Sequence, residues 1–196
     1  LVVGAEMPDG RQILFVIATN APGITVPHGL DLVALTASQT GPVKFENVFV
    51  DPSWLLTDPT EQVLAASGLT STGSTQTSAL ALGLATSAVN FIEQESLQRP
   101  DLFETAEALK KQQSELEDRL LKLSSGIAIC TNEELRTEMN SFVLRTTQAS
   151  MAAAKGAGFV QGHPAGRWCR EALFFLVWSC PQSVIRANLC ELVGIE

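Results

Sequence analysis

The side chains in this sequence that can do acid–base, nucleophilic or metal chemistry are few and scattered. Four cysteines stand at 130, 169, 180 and 190 without a C-x-x-C pair, and the two histidines, His28 and His163, are far apart. A zinc site draws its ligands from closely spaced pairs, so no metal centre is expected. His163 precedes Pro164 in a loop with glycines nearby and reads as a satisfied loop histidine rather than a general base. Cys180 has no His or cation beside it in sequence and reads as an inert buried thiol. With no secretory signal in view, all four cysteines read as reduced and buried. A Gly-rich P-loop, G-x-G-x-x-G after a strand, H-E-x-x-H and G-x-S-x-G are all missing, which removes the reactions those motifs serve.

Composition narrows the partners. The chain has 196 residues, enough for one large domain or two small ones. Thirteen Lys and Arg against 21 Asp and Glu give a net charge of −8, which repels phosphate backbones, so nucleic acid is not an expected partner. Apolar residues make up 45% and charged residues 17%, a globular composition with fewer charges than usual. Some apolar surface is therefore expected to meet another subunit. The longest apolar run, Ala172 to Trp178, is far short of the ~18 to 20 residues that span a bilayer, so no transmembrane segment is expected. The opening LVVGAE has no basic n-region, no cleavage-like site and no initiator Met. It reads as a chain cut in mid-fold rather than a signal peptide, and a cytoplasmic location follows.

The elements that must position any site change character near residue 60. Before it the chain is rich in β-branched residues, with apolar runs at Ile13 to Ala18 and Val43 to Val50. The second run alternates Val43, Phe45 and Phe49 against Lys44, Glu46 and Val48, the period of a half-buried antiparallel strand. Pro8-Asp9-Gly10 and Ala21-Pro22-Gly23 are turn signals. After residue 60, Ala, Leu, Glu, Gln and Lys dominate. Thr75 to Gln94 predicts a helix with Gly83 in its middle; such a glycine costs about 1 kcal/mol against Ala unless close packing needs the space, so a crossing helix is expected there. Arg99-Pro100-Asp101 breaks the chain, with Asp101 a plausible N-cap, and Leu102, Ala106, Leu109, Gln113, Leu116, Leu120 and Leu123 follow in 4-3-4-3-4-3 spacing. That spacing is one apolar stripe along a bundle helix, with Gln113 a solvated or hydrogen-bonded seam residue. Thr131 to Glu134 opens a third helix that runs through Met139, Phe142, Val143, Thr146 and Ala149 to Lys155 and stops at Gly156-Ala157-Gly158. A short helix around Arg167 to Trp178, a break at Cys180-Pro181 and a last helix from about Gln182 to Leu192 complete the chain.

Taken in order, FVIATNAPGITV, SQTGPVKFENVFVDPSWLL, an Ala/Leu-rich helix with ALGLA, KGAGF and HPAGRWCREA resemble the second half of an acyl-CoA dehydrogenase. The family's patterns there are F-x-V-x-x-x-x-P-G-x-x-V and x-V-x-F-x-x-V-x-V-P in a central β-domain, then a G-G-x-G-[YF] turn and Y-P-x-E-R-x-x-R-D-A in a helical bundle. The likeness covers almost the whole chain and is strongest over Gly41 to Leu56 and Lys155 to Ala172. It implies an α+β fold: residues 1–60 as the end of the middle β-domain, a partial antiparallel β-structure, and residues 61–196 as an up-and-down four-helix bundle. It also implies FAD lying between β-domain and bundle across a subunit interface, a homo-oligomer (dimer or tetramer), and an acyl-CoA thioester that loses an α-proton to a glutamate and a β-hydride to the flavin.

Carried over residue by residue, the resemblance shows departures. Matching Arg170-Glu171-Ala172 to R-D-A puts the family's Y-E-G-T at Trp178-Ser179-Cys180-Pro181, so Ser179 stands where the catalytic glutamate is expected. The other place for that glutamate, on the first bundle helix, falls on Thr72-Gly73-Ser74-Thr75 and holds no acid. Glu171 is the one acid near the expected site, and a local ion pair is its ordinary use. Gly156 and Gly158 match the glycine turn that lets backbone approach the flavin, and with Pro181, in the catalytic turn, they are the cofactor-binding residues that the resemblance implies. Lys155 replaces the first glycine of that turn, and Ala152 stands where a Gln is usual. No R-x-x-F-G element is recognisable around Arg99 to Phe103. The flavin-ring segment of the β-domain would lie upstream of Leu1, so a complete active site is not expected from these residues alone. Two readings follow: a divergent flavoprotein dehydrogenase whose base lies elsewhere, or a non-catalytic acyl-CoA- or partner-binding module on the same fold. An assembly subunit is a third.

Overall fold

The computed structural model describes residues 1–66 and 75–195. It divides into two compact units, Leu1–Ser71 and Thr72–Glu196.

In the first unit, β1 (Val2–Glu6) pairs antiparallel with β2 (Gln12–Val16), Val2 opposite Val16 and Glu6 opposite Gln12. The turn is built by Pro8-Asp9-Gly10: Gly10 adopts φ 84°, and the Asp9 carboxylate accepts from the Arg11 backbone N–H at 3.1 Å and Nε at 2.8 Å. A two-residue pair, β3 (Ile24–Thr25) with β4 (Lys44–Phe45), follows. Gly23 makes this pairing possible, since at φ 85° a Cβ there would lie 2.2 Å from the Glu46 carbonyl oxygen. Leu14, Phe15, Ile17 and Val63 form the buried centre. The strand expected over Val43 to Val50 is cut to Lys44–Phe45. Asn47 turns to φ 50°, which ends extended pairing, and Phe45 and Phe49 are exposed, so the alternation finds no face to bury against in this unit.

The second unit is helical: α2 (Thr75–Ser96), α3 (Phe103–Ser124), α4 (Asn132–Ala154), α5 (Pro164–Ala172) and α6 (Gln182–Val193) follow α1 (Val63–Ala66) of the first unit. The arrangement is α+β, with a helical bundle in which α2 packs on α3 and α4, and α4 on α5 and α6. Its core is Ala81, Ala85, Val89 and Ile92 of α2 against Leu109, Leu116 and Leu120 of α3 and Leu135, Met139, Phe142 and Val143 of α4. The α3 stripe is buried at Ala106, Leu109, Leu116 and Leu120 and partly buried at its ends, Leu102 and Leu123, and Gln113 Nε2 donates to Thr86 Oγ1 at 3.0 Å, a hydrogen-bonded seam residue. At the start of α4 the Thr131 hydroxyl accepts from the Glu134 N–H at 3.1 Å and the Glu134 carboxylate accepts from the Thr131 N–H at 2.8 Å. This reciprocal cap satisfies two of the donors a helix start leaves open.

Four expectations are corrected. Asp101 is not a cap: Pro100–Leu102 forms a 3₁₀ turn, α3 starts after Leu102 without a side-chain cap, and Asp101 lies 3.5 Å from the Arg99 guanidinium instead. Among the described residues no helix crosses at Gly83, where a Cβ would meet nothing within 4 Å, because Gly83 lies on the exposed side of α2. The short helix starts at Pro164 rather than Arg167, since His163 Nδ1 accepts from the Ala165 N–H at 3.2 Å and Pro164 suits the first turn. All four cysteines are half-buried rather than buried. Among the described residues no helix is long and apolar enough to cross a membrane.

Candidate functional site

Gly156 and Gly158 lie at the C-terminal end of α4, and the segment of Ser179 and Pro181 lies toward its N-terminal end. At its C-terminal end, Lys155 takes φ 53°, ψ −145°, a conformation open to glycine and strained for any other residue. Lys155–Phe159 then forms a 3₁₀ turn. A Cβ on Gly156 would meet nothing within 4 Å, so its backbone is open to approach. Gly158 is buried, and a Cβ there would lie 2.6 Å from Met151 Sδ. A Cβ on Gly166 of α5 would lie 2.8 Å from the Gly158 carbonyl oxygen, so this pair of glycines lets the turn and α5 touch. Arg99 Nη1 donates to the Ala153 carbonyl at 2.6 Å, taking one of the acceptors that a helix end leaves free. His163 stacks edge-on to Phe91, ring centroids 5.7 Å apart.

At the other end lies the segment from α5 to α6. A 3₁₀ turn, Leu173–Leu176, is followed by Ser179 at φ 43°, exposed to solvent. Cys180 and Pro181 are half-buried, and Pro181 leads into α6 without a side-chain cap. Glu171 forms an i, i+4 ion pair with Arg167, Nε to Oε1 3.9 Å. The ion pair foreseen for it exists, with Arg167 as the described partner.

Beneath this segment is a cluster that the sequence reading missed. Arg136 of α4 is 0% exposed. Its Nε donates to Asn140 Oδ1 at 2.8 Å, and its Nη2 to the carbonyls of Phe175 at 3.3 Å and Trp178 at 3.1 Å. Asn140 Nδ2 donates to the Phe175 carbonyl and to Asn188 Oδ1, both at 3.0 Å, and Asn188 Nδ2 to the Thr137 carbonyl at 3.1 Å. Burial lowers the basicity of Arg136, with Cys180 opposing that effect. Burial likewise pushes the Cys180 thiol up against the nearby Arg136 charge and the Asn140 contact. The available signal was that Arg136 and Asn140, spaced i, i+4, each directly follow an apolar residue of the core face, Leu135 and Met139.

The two groups are not brought into one pocket. From Arg136 to Ala154 is eighteen residues of continuous helix, about 27 Å at 1.5 Å per residue. The second place for a base, Thr72-Gly73-Ser74, lies outside the described residues. At these positions the geometry offers an exposed hydroxyl, a half-buried thiol and open backbone, but no free carboxylate.

No family model matches the sequence, and no curated protein does. Solved structures match its fold throughout. An acyl-CoA dehydrogenase from Geobacillus kaustophilus has a TM-score of 0.81 at 13% identity, over 97% of this chain and 56% of its own. A glutaryl-CoA dehydrogenase from Mycobacterium smegmatis in complex with FADH2 gives 0.76 at 17% identity, over 98% and 54%. Dibenzothiophene monooxygenase from Paenibacillus sp. A11-2 gives 0.70 at 17% identity, over 99% and 60%. The chain thus spans a little over half the length of the solved chains that it matches. Along nearly its whole length, through two short antiparallel sheets and a five-helix unit built on α4, this chain has the fold of the C-terminal part of an acyl-CoA dehydrogenase.

Proposed function

We propose that the chain is part of an FAD-dependent oxidoreductase of the acyl-CoA dehydrogenase type, acting on the CH–CH bond of an acyl-CoA thioester. Residues 1–60 then serve as the end of its middle β-domain and residues 61–196 as its C-terminal bundle domain, in a cytoplasmic homo-oligomer. The observation that carries this reading is the fold match over 97% of the chain, joined to the open backbone at Gly156 in the turn where the family's glycines stand. Bound FAD supplies a hydride acceptor; the protein supplies position and a proton acceptor.

The residues present fit that cofactor in one respect and depart from it in others. Gly156 leaves room for a ligand against its backbone, whereas the space at Gly158 is filled by Met151 and Ala154, so Gly158 shapes the turn from inside. Pro181 sets the start of α6 behind Ser179. The separation of Gly156 from Ser179 and Pro181 along α4 suits a cofactor that crosses a subunit boundary, each end of the helix serving a different bound molecule. Exposed Leu189, Leu192, Val193 and Ile195 at the chain's end are apolar area of the kind that a homo-oligomer covers. Ser179 cannot take a proton from carbon at neutral pH without an activating base, and Glu171 is held in its pair with Arg167.

That last observation favours a second reading, a fold that binds acyl-CoA or a partner protein without dehydrogenation. The deciding experiment is the visible spectrum of the full natural polypeptide, purified without added cofactor, before and after anaerobic addition of butyryl-CoA and octanoyl-CoA. Flavin bands that bleach establish the dehydrogenase, with Glu171→Gln as the first variant to make. Bands that persist favour the binding module, and no flavin overturns the flavoprotein reading.

A further inference from the structure

The buried guanidinium of Arg136 faces main chain rather than a counter-ion. Among the described residues no ion pair includes it, and its Nη1 is buried with no hydrogen-bond partner. A buried charge of this kind is costly, and an apolar side chain of similar length often leaves a fold equally or more stable. What the charge does here is grip carbonyls. The Phe175 carbonyl accepts from both Arg136 Nη2 and Asn140 Nδ2, and the Trp178 carbonyl accepts from Arg136 Nη2. The Trp178 carbonyl belongs to the peptide plane that enters Ser179, and the φ angle of Ser179 is rotation against that plane. Ser179 sits at φ 43°, a conformation that is unfavourable for a non-glycine residue and persists only where its surroundings fix it.

We propose that Arg136, seated by Asn140 and Asn188, is a positioning residue for the turn over residues 177–181: its grip on the Trp178 carbonyl holds the left-handed conformation that aims the side chain at 179. This rests on the reading of position 179 as the site position, but the grip itself is testable without turnover. Cys180, next in the turn, is half-buried and reports its release, while half-buried Cys169 on α5 and Cys190 on α6 are internal controls.

The experiment is alkylation of the full natural polypeptide by iodoacetamide near pH ~8, where thiolate begins to form, with each cysteine followed by peptide mass spectrometry. Loss of the grip in Arg136→Met is expected to speed labelling of Cys180 about tenfold, the equivalent of one lost charge-assisted hydrogen bond, with Cys169 and Cys190 unchanged. Removing the positive charge alone would slow Cys180 by raising its pKa, so acceleration identifies release of the turn. Arg136→Lys keeps the charge without the planar fork and is expected to give a smaller acceleration; it also stands in if Arg136→Met does not fold. Unchanged labelling of Cys180, or equal acceleration at all three cysteines, overturns the proposal. Flavin content of the same samples judges the functional reading separately. If flavin is present, Ser179→Glu is expected to bleach with butyryl-CoA, and adding Arg136→Met to shift the pH profile of that bleaching and slow it about tenfold.

Discussion

Helix α4 buries two faces of opposite character. Leu135, Met139, Phe142 and Val143, all 0% exposed, pack into the apolar core with α2 and α3. Arg136 and Asn140, equally buried, lie one residue along and face the 175–180 segment and α6 with hydrogen-bonding groups. The apolar face is held by volume and area, so any well-fitting hydrocarbon serves it. The polar face is held by direction, since each donor has a specified carbonyl, and an apolar substitute of the same size leaves those carbonyls unpaired. The difference separates the part of the bundle that makes it fold from the part that fixes one turn.

The contrast can be broken by substitution. Phe142→Ala is expected to cost about 3 to 5 kcal/mol in equilibrium urea unfolding, from lost burial plus a cavity; a loss comparable to that of an exposed residue would remove the apolar face from the core. Asn140→Leu adds apolar surface at nearly equal size, yet is expected to cost about 2 kcal/mol, because Arg136 Nε and the Asn188 amide lose their partner. A neutral outcome would show that the polar face is held by volume after all. At the far end of α4 the sign reverses. Lys155→Gly relieves a backbone conformation that suits glycine and is expected to raise stability by about 1 to 2 kcal/mol, read as a higher urea midpoint at unchanged slope.

The smallest effect lies at the start of the helix. Thr131→Ala removes the reciprocal cap, at about 1 kcal/mol. Glu134 sharpens that test through pH. Hydrogen bonds from the Thr131 backbone and side chain hold its carboxyl below the ordinary value. The folded-state value lies below the unfolded one, so the contribution of Glu134 is complete above the ordinary carboxylate range and lost as pH falls through the lowered value. Stability of the natural chain should therefore decline more steeply in that acid window than stability of Thr131→Ala, and parallel curves would remove the cap as the cause.

Much of the helical unit was legible in the sequence because its signals are local. The Thr131–Glu134 cap and each step of the α3 stripe span three or four residues, within about one helical turn, where side-chain spacing and backbone geometry are nearly fixed. The first unit was less legible. The alternation at Val43 to Val50 is a strand signal, but a strand needs a partner along its length, and among the described residues the pairing there runs only over Lys44 and Phe45, with one further bond from the Glu46 N–H to the Gly23 carbonyl. Of the candidate site, the glycine turn and the position of Ser179 could be placed in order along the chain. The support beneath Ser179 could not, because Arg136 reaches carbonyls 39 and 42 residues away and nothing in its neighbours names them.

By itself the sequence determined an α+β order of elements, the approximate extents of the long helices, the cap of α4, and the absence of a carboxylate from the turn over residues 177–181. Tertiary structure decided that Gly83 meets no helix while Gly158 and Gly166 meet each other. It also put the two halves of the expected site at opposite ends of α4 and gave a buried arginine the task of holding a turn. Local propensity and periodicity act over a few residues, whereas burial of a charge and the direction of a distant carbonyl are fixed only when the helices have packed.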